Sequence, residues 1–365
     1  MFALVRFLAA LLPLTASSFS PGQPANTAAQ APPSVPEISS AAADYLNHVI
    51  DLMQQNALHR NEINFTLLRS DAFARAGDAQ TPTDTYPAIF YALTQLKEYH
   101  SFLRIPDHLS DADKKRAWAS MNTILVPYKK QFAQPPPSPF SKRSEPDGHL
   151  IRSGNLTFAW VSIPACADSQ AFADKLHSIA TGLEAQHPNG WIIDLRGNGG
   201  GNMWPMLAGI GFVLGDGTSG YFVGSDGNET PWSYQDGKAS LGERDIIAFV
   251  TGAPLKLAAL PPVAVLIDSG TISSGEAIAV SFAGRPLTRF FGTHTYGLSS
   301  ANQMFTLSDG ASLFLNTAAD EDRNHRRYDN GIEPDVAFPE PTTLPDEASD
   351  PVLQAAEAWL ATQAR

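Results

Sequence analysis

Two serines stand in the segment TISSGEA, residues 271–277, directly after the apolar run VAVLID. A serine at a sharp strand-to-helix turn can act as a nucleophile, because the turn exposes its hydroxyl at the end of the strand. The same segment also has a structural interpretation, since Ser273 and Glu276 have the spacing of a capping box that starts a helix. The two interpretations are compatible, because one turn can hold both a cap and a nucleophile.

A glycine-rich segment, RGNGGG at residues 196–201, follows another apolar run, GWIIDL. Glycines at a strand end allow backbone N–H groups to approach a reacting carbonyl oxygen, as an oxyanion hole requires. A nucleotide-binding loop is the weaker interpretation, because the pattern is GxGxxN and no Lys-Ser/Thr pair follows it. A tight turn is the remaining alternative, and in either case Asp194 and Arg196 are predicted to anchor the loop.

A serine hydroxyl needs a neighbouring base, and the chain has nine histidines among which spacing alone does not choose. His100 ends the segment YPAIFYALTQLKEYH, whose periodicity predicts a helix with Ile89, Leu93, Leu96 and His100 on one stripe. His100 would then end the buried face and point at the neighbouring domain. A structural core or capping histidine is the alternative interpretation of this position.

The composition excludes several classes of protein. A formal net charge of −12 provides no basic surplus for phosphates, so nucleic acid is not an expected partner. Cys166 is the single cysteine, which excludes an internal disulfide and a CxxC site, and there is no HExxH motif. We therefore expect neither a metal site nor a cofactor. A hydrophobic content of 43% is typical of a globular protein.

The chain begins with MFALVRFLAALLPLTASSFS, in which one arginine precedes a short apolar run and small residues follow. This pattern is typical of a secretory signal peptide, and we predict a signal peptide and leader over residues 1–31. The apolar run is too short to cross a bilayer and is broken by Pro13. The protein is therefore expected to be exported, periplasmic or secreted, without stable membrane insertion.

Helical periodicity predicts helices over residues 40–58, 64–76, 86–99 and 111–131, and hence an N-terminal helical domain over 38–133. A proline-rich linker is predicted over 134–148. The alternation of strand and helix patterns that follows predicts an α/β core over 149–345. A last helix is predicted within 346–365, starting at Asp350 and Pro351.

Taken in order, DLRGNGGG, T-x-S-x-x-E and FG-x-x-T-x-G resemble the S41 serine peptidases, the C-terminal processing and tricorn-core group. The resemblance covers about residues 153–340, with a weaker match over 40–104. It implies a ClpP/crotonase-like β-superhelix core preceded by the helical domain. It also implies a peptide or unfolded protein as substrate, lying extended beside a strand.

The resemblance assigns the nucleophile to Ser273 and distinguishes two branches of the family. In the processing branch a lysine is the base, but Leu298 stands at its position and an aliphatic side chain cannot take a proton. The segment 105–147 is also too short and too rich in proline for the PDZ domain of that branch. The tricorn-like branch uses serine, histidine and an acid, and its histidine lies in a segment of the type L-x-D-x-H-S. The segment LKEYHSFL places His100 at that histidine, with Glu98 in place of the aspartate.

The resemblance implies Asp329, in RYDNGIEPD, as the acid, with Glu333 and Asp322 as alternatives; an Asp-Asn-Gly turn is the structural interpretation. The oxyanion hole would use the amide of Ser274 and that of Gly199 or Gly200. His294 is the rival base, or a residue of the substrate groove. The sequence thus predicts an exported serine endopeptidase. The alternatives are an esterase with the same triad, or an inactive relative that binds a peptide or hydrophobic ligand.

Overall fold

The computed structural model describes residues 37–132, 137–167, 170–242 and 245–364. The predicted signal peptide and leader, and the start of the predicted linker, lie outside the described residues. Glu37–Arg365 form one compact unit. Within the described part of the chain, no helix has the length and apolar character needed to cross a membrane.

Four N-terminal helices, an α/β core and a last helix follow one another in the predicted order. The helices are α1 (Ser40–Asn56), α2 (Phe65–Ala76), α3 (Tyr86–Thr94), α4 (Asp111–Lys129), α5 (Gln170–Glu184), α6 (Met203–Ile210), α7 (Ser274–Phe282) and α8 (Pro351–Gln363). The strands are β1 (Phe102–Arg104), β2 (Asp147–Ser153), β3 (Leu156–Ser162), β4 (Gly190–Asp194), β5 (Gly217–Gly224), β6 (Glu229–Gln235), β7 (Lys238–Leu241), β8 (Asp245–Phe249), β9 (Val263–Ile267), β10 (Thr288–Gly292), β11 (Ser300–Thr306), β12 (Ser312–Asp322) and β13 (Val336–Ala337).

A six-stranded sheet in the order β13-β10-β9-β4-β3-β2 carries both the glycine-rich segment and TISSGEA. Its strands are parallel from β13 to β3, and only β2 runs antiparallel to its neighbour. Strands β4 and β9 are adjacent and fully buried, as expected for parallel strands covered on both faces. Because both end at the same edge of the sheet, the glycine-rich segment and TISSGEA emerge side by side.

A second, seven-stranded sheet brings distant parts of the chain together. Its order is β1-β12-β5-β6-β7-β8, and β11 pairs with β12 outside this path. The long strand β12 pairs with β11 along one edge and with β1 and β5 along the other, all antiparallel. The N-terminal part of the chain therefore contributes a strand to a sheet whose other strands lie within residues 217–322.

The helical part and the core share one hydrophobic cluster. Buried side chains of α1–α3, among them Leu46, Ile50 and Phe90, belong to the same cluster as Leu313 and Leu315 of β12. On the other face of the six-stranded sheet, α8 packs against Ala264, Leu266 and Phe291. The helical region thus forms a common core with the sheets, although the sequence predicted it as a domain of its own.

The prediction that His100 lies on a helix was wrong. Helix α3 ends at Thr94, and the backbone at Lys97 has φ 60°, a conformation incompatible with a continuing helix. His100 lies three residues after Lys97 and two residues before the start of β1. The pairing of β1 with β12, not a helical stripe, therefore sets the position of His100.

Candidate active site

Ser273 lies in a tight turn between β9 and α7. Its backbone has φ 54° and ψ −115°, which is rare for a residue with a side chain and costs about 1–3 kcal/mol. Its N–H donates to Glu276 Oε2 at 2.8 Å, which is the glutamate half of the capping interaction. Such a strained turn is typical of a nucleophile held at the end of a strand.

The imidazole of His100 lies beside this serine. Nε2 is 3.1 Å from Ser273 Oγ, and Nδ1 is 2.9 Å from Ser300 Oγ. Burial, together with the nearby Lys129 charge, lowers the pKa of His100 to about 4. The ring is therefore neutral near pH 7 and can accept a proton from the serine hydroxyl.

Two side chains fix the backbone that carries the imidazole. Glu98 accepts hydrogen bonds from the N–H groups of His100 and Ser101, the latter at 3.0 Å. Asn302 Nδ2 donates to the carbonyl of His100 at 3.2 Å. Burial raises the pKa of Glu98. Glu98 therefore contacts the backbone of His100 and leaves the imidazole to other partners.

The glycine-rich loop packs directly against the serine turn. A Cβ on Gly200 would lie 2.8 Å from the carbonyl oxygen of Ile272 and 3.1 Å from Ser273 Cβ, and φ at Gly200 is 91°. The contact is fixed by the N–H of Ile272, which donates to the Asn198 carbonyl at 2.9 Å, and by Ser274 Oγ, which donates to the Gly201 carbonyl at 2.7 Å. Only glycine at position 200 allows this approach.

The hydrogen bonds of the backbone amides beside Ser273 reduce the number of candidates for the predicted oxyanion hole. The Gly200 N–H donates to Asn198 Oδ1 at 3.0 Å and is therefore occupied. The N–H groups of Gly199 and Ser274 donate to no acceptor among the described residues. Of the three predicted amides, Gly199 and Ser274 remain as candidates to stabilise a carbonyl oxyanion next to Ser273.

Glu276 connects the serine turn to the loop before β11. Besides Ser273 N–H, its carboxylate accepts hydrogen bonds from Thr295 Oγ1 at 2.6 Å and from the N–H groups of Gly297 and Leu298 at 2.8 and 2.9 Å. Burial raises the pKa of Glu276. Leu298, where the processing branch has its lysine, thus reaches the site through its backbone N–H.

The structure does not bring Asp329 to the imidazole. Its Oδ1 accepts a hydrogen bond from Arg327 Nε at 2.5 Å, and its side chain is exposed.

His294, the rival base, is partly exposed, and its Nε2 lies 3.7 Å from a carboxylate oxygen of Glu333. The remaining alternative, Asp322, accepts from the hydroxyl of Tyr328 at 2.9 Å. The contact expected of the acid is therefore made by Ser300, which the motifs did not indicate.

Asp194 and Arg196 anchor the glycine-rich loop, as predicted. Arg196 Nη2 lies 2.8 Å from Asp194 Oδ2, and Nη1 lies 2.7 Å from Asp350 Oδ2, all within the protein interior. Burial opposes ionisation of Asp194, but the Arg196 and Arg143 charges hold its pKa down to about 2. Because Asp350 also caps α8, the last helix is tied to the loop.

Comparisons with known proteins are consistent with this geometry. The model of peptidase family S41 matches residues 157–338. The nisin-resistance protein of Lactococcus lactis subsp. lactis is 38% identical over 295 residues, covering 80% of this chain and 82% of the relative. The carboxy-terminal processing protease CtpA of Bacillus subtilis (strain 168) is 26% identical over 195 residues, covering 52% of this chain and 36% of the relative.

Solved structures show the same fold. A lipoprotein from Streptococcus agalactiae superimposes with a TM-score of 0.65 at 20% identity, covering 89% of this chain and 98% of that one. The photosystem II D1 C-terminal processing protease superimposes with a TM-score of 0.59 at 15% identity, covering 87% and 98%. The predicted α/β core with a helical N-terminal part is confirmed. The chain belongs to peptidase family S41 and is a serine-type peptidase.

Proposed function

We propose that the protein is an exported serine endopeptidase in which Ser273 is the nucleophile and His100 the general base. The observation that carries this proposal is the 3.1 Å distance from Ser273 Oγ to His100 Nε2, beside two backbone amides that have no acceptor within the described residues. Export is inferred from the N-terminal segment, and N-terminal sequencing of the mature protein would test it.

The mechanism follows from these groups. His100 Nε2 takes the proton of the Ser273 hydroxyl as its oxygen attacks the substrate carbonyl. The developing oxyanion accepts hydrogen bonds from the amides of Gly199 and Ser274. His100 then gives the proton to the departing amine, and an acyl group remains on Ser273. Water, deprotonated by the same imidazole, releases the acid product and restores the serine.

The surroundings of His100 support an extended peptide as substrate. A cleft of about 610 Å³ lies beside His100, with Leu58, Lys97, Phe132 and Gly224 among its lining residues. The strand β11, which begins at Ser300, pairs with β12 alone among the described strands, so that its other edge is available to a peptide backbone. Nisin, after which the Lactococcus relative is named, is the first specific substrate to test.

The proposal predicts that Ser273→Ala and His100→Ala each lower kcat/KM by at least about a thousandfold, since each removes one half of the nucleophile–base pair. Hydrolysis of casein and of nisin by the purified mature protein measures this. His294→Ala is the matched control and should retain activity, because its imidazole is partly exposed and pairs with Glu333. Equal digestion by wild type and Ser273→Ala would contradict the proposal.

A further inference from the structure

We propose that Ser300 is the positioning residue of this site, which holds the His100 imidazole in the orientation and tautomer that accept the serine proton. This inference rests on the proposed function. Its basis is the 2.9 Å distance from Ser300 Oγ to His100 Nδ1, on the opposite side of the ring from Ser273. In this arrangement a hydroxyl takes the place of the expected carboxylate.

The tautomer follows from proton bookkeeping. Nε2 can take the proton of Ser273 only if its lone pair is free, so in the neutral ring the hydrogen must be on Nδ1. That N–H then donates to Ser300 Oγ. When Nε2 gains the serine proton, the positive charge of the imidazolium is shared with Nδ1–H, and the hydroxyl oxygen remains its acceptor. No other group has to gain or lose a proton.

Hydrogen bonds form a closed ring that fixes Ser300 relative to the nucleophile. The N–H groups of Ser273 and Leu298 both donate to Glu276 Oε2, at 2.8 and 2.9 Å. The N–H of Ser300 donates to the Leu298 carbonyl at 2.8 Å. The hydroxyl of Ser300 then reaches His100, and His100 reaches Ser273. The buried Glu276 carboxylate therefore fixes the backbone at Ser273 directly and the backbone at Ser300 through Leu298.

Three carboxylates that could be expected to orient the imidazole, those of Asp329, Glu98 and Glu276, have other hydrogen-bond partners, and the buried carboxylate of Asp320 makes no hydrogen bond within the described residues. Asp329 pairs with Arg327, and the carboxylate of Glu98 accepts the backbone N–H groups of His100 and Ser101. Glu276 accepts hydrogen bonds from the serine turn and the loop. None of these carboxylates makes a described hydrogen bond to the ring nitrogens of His100, which leaves the Ser300 hydroxyl to orient the ring.

The test compares Ser300→Ala, Ser300→Thr and Asp329→Asn. We expect Ser300→Ala to lower kcat about 10- to 100-fold with KM changed by less than about twofold, because the ring loses orientation and not substrate contacts. Ser300→Thr keeps a hydroxyl and should restore most of the activity. Asp329→Asn should retain kcat. Ser299→Ala is the matched control, since its hydroxyl makes no hydrogen bond within the described residues.

Two measurements separate positioning from folding and from the proposed function. Proton NMR of selectively labelled wild type should show a downfield Nδ1–H signal from His100 that is lost in Ser300→Ala at an unchanged unfolding temperature. Labelling of Ser273 by a fluorophosphonate tests the nucleophile independently; an unlabelled wild type would contradict the proposed function, while the NMR signal would still report on Ser300. Full activity of Ser300→Ala, or an inactive but folded Asp329→Asn, would overturn the inference.

Discussion

The proposed base, His100, lies in an environment that disfavours positive charge. Burial lowers its pKa to about 4, and the Lys129 charge acts in the same direction. Protonated His100 cannot accept the serine proton, so the acid limb of kcat/KM should have its midpoint near pH 4 and not near the ordinary 6.5. Initial rates on a soluble peptide from pH 3.5 upward measure this.

Lys129→Met provides a second check on the same residue. Removing the positive charge should move the acid limb of kcat/KM to higher pH, because the imidazolium is then less disfavoured. The exposed Lys130→Met should leave the limb in place. A wild-type midpoint near 6.5 would show that His100 titrates as in water, against the expectation from its burial.

Residue roles differ in how far the sequence could reveal them. Ordered motifs led to Ser273 and His100, which the structure places 3.1 Å apart. Ser300 carries no motif, and its contact with His100 depends on the pairing of β11 with β12, which composition does not encode. The sequence assigned the acid to Asp329, but that carboxylate pairs with Arg327 and makes no described hydrogen bond to the imidazole.

At the level of elements, Glu276 couples the start of α7 to the loop before β11. Replacing it with Gln leaves one acceptor oxygen in place of two, so two of the four hydrogen-bond donors lose their partner in a buried site. Each orphaned buried donor costs about 1–3 kcal/mol. We expect Glu276→Gln to lower both the unfolding temperature and kcat.

Thermal unfolding and casein hydrolysis measure the effect of Glu276→Gln. The control is Glu333→Gln, since that side chain is 74% exposed and should change neither quantity. A Glu276→Gln variant with wild-type stability and kcat would show that the turn and the loop are held by other contacts.

Element boundaries show where periodicity succeeds and where it fails. The patterns predicted α1, α2 and α4 to within two residues at each end, because their apolar faces and capping residues are local signals. The predicted helix over 86–99 ends instead at Thr94. Periodicity reveals neither the left-handed backbone at Lys97 nor the hydrogen bonds that the N–H groups of His100 and Ser101 donate to the Glu98 carboxylate.

At the scale of the whole molecule, the proposed active site depends on the packing of the N-terminal helical region against the sheets. The sequence predicted a helical domain separated by a linker, but β1 pairs with β12, and α1–α3 share its core cluster. This pairing carries His100 to a serine 173 positions away. The proposed activity therefore requires the N-terminal part as a structural component of the site.

The ionisation of Asp268, the residue that directly follows β9, should make the stability of the whole fold depend on pH. Burial raises the pKa of Asp268 from 3.8 to about 6, against the hydrogen bonds from Ser138 and from Gly197 N–H. A raised pKa means that the folded state binds the proton more tightly than the unfolded state does. The contribution of Asp268 is therefore full below pH about 4 and is lost as pH rises through 6.

Asp268→Asn isolates this contribution from that of His100, whose lowered pKa changes stability in the opposite sense over the same range. An amide can keep the N–H bonds from Gly197 and Gly270 and can donate to the Ser138 oxygen. Relative to wild type, the variant should gain about 2–3 kcal/mol of unfolding free energy between pH 4 and 7. Urea unfolding at both pH values measures this, with the exposed Asp147→Asn as the control; a constant difference would mean that Asp268 ionises as readily in the fold as in the unfolded chain.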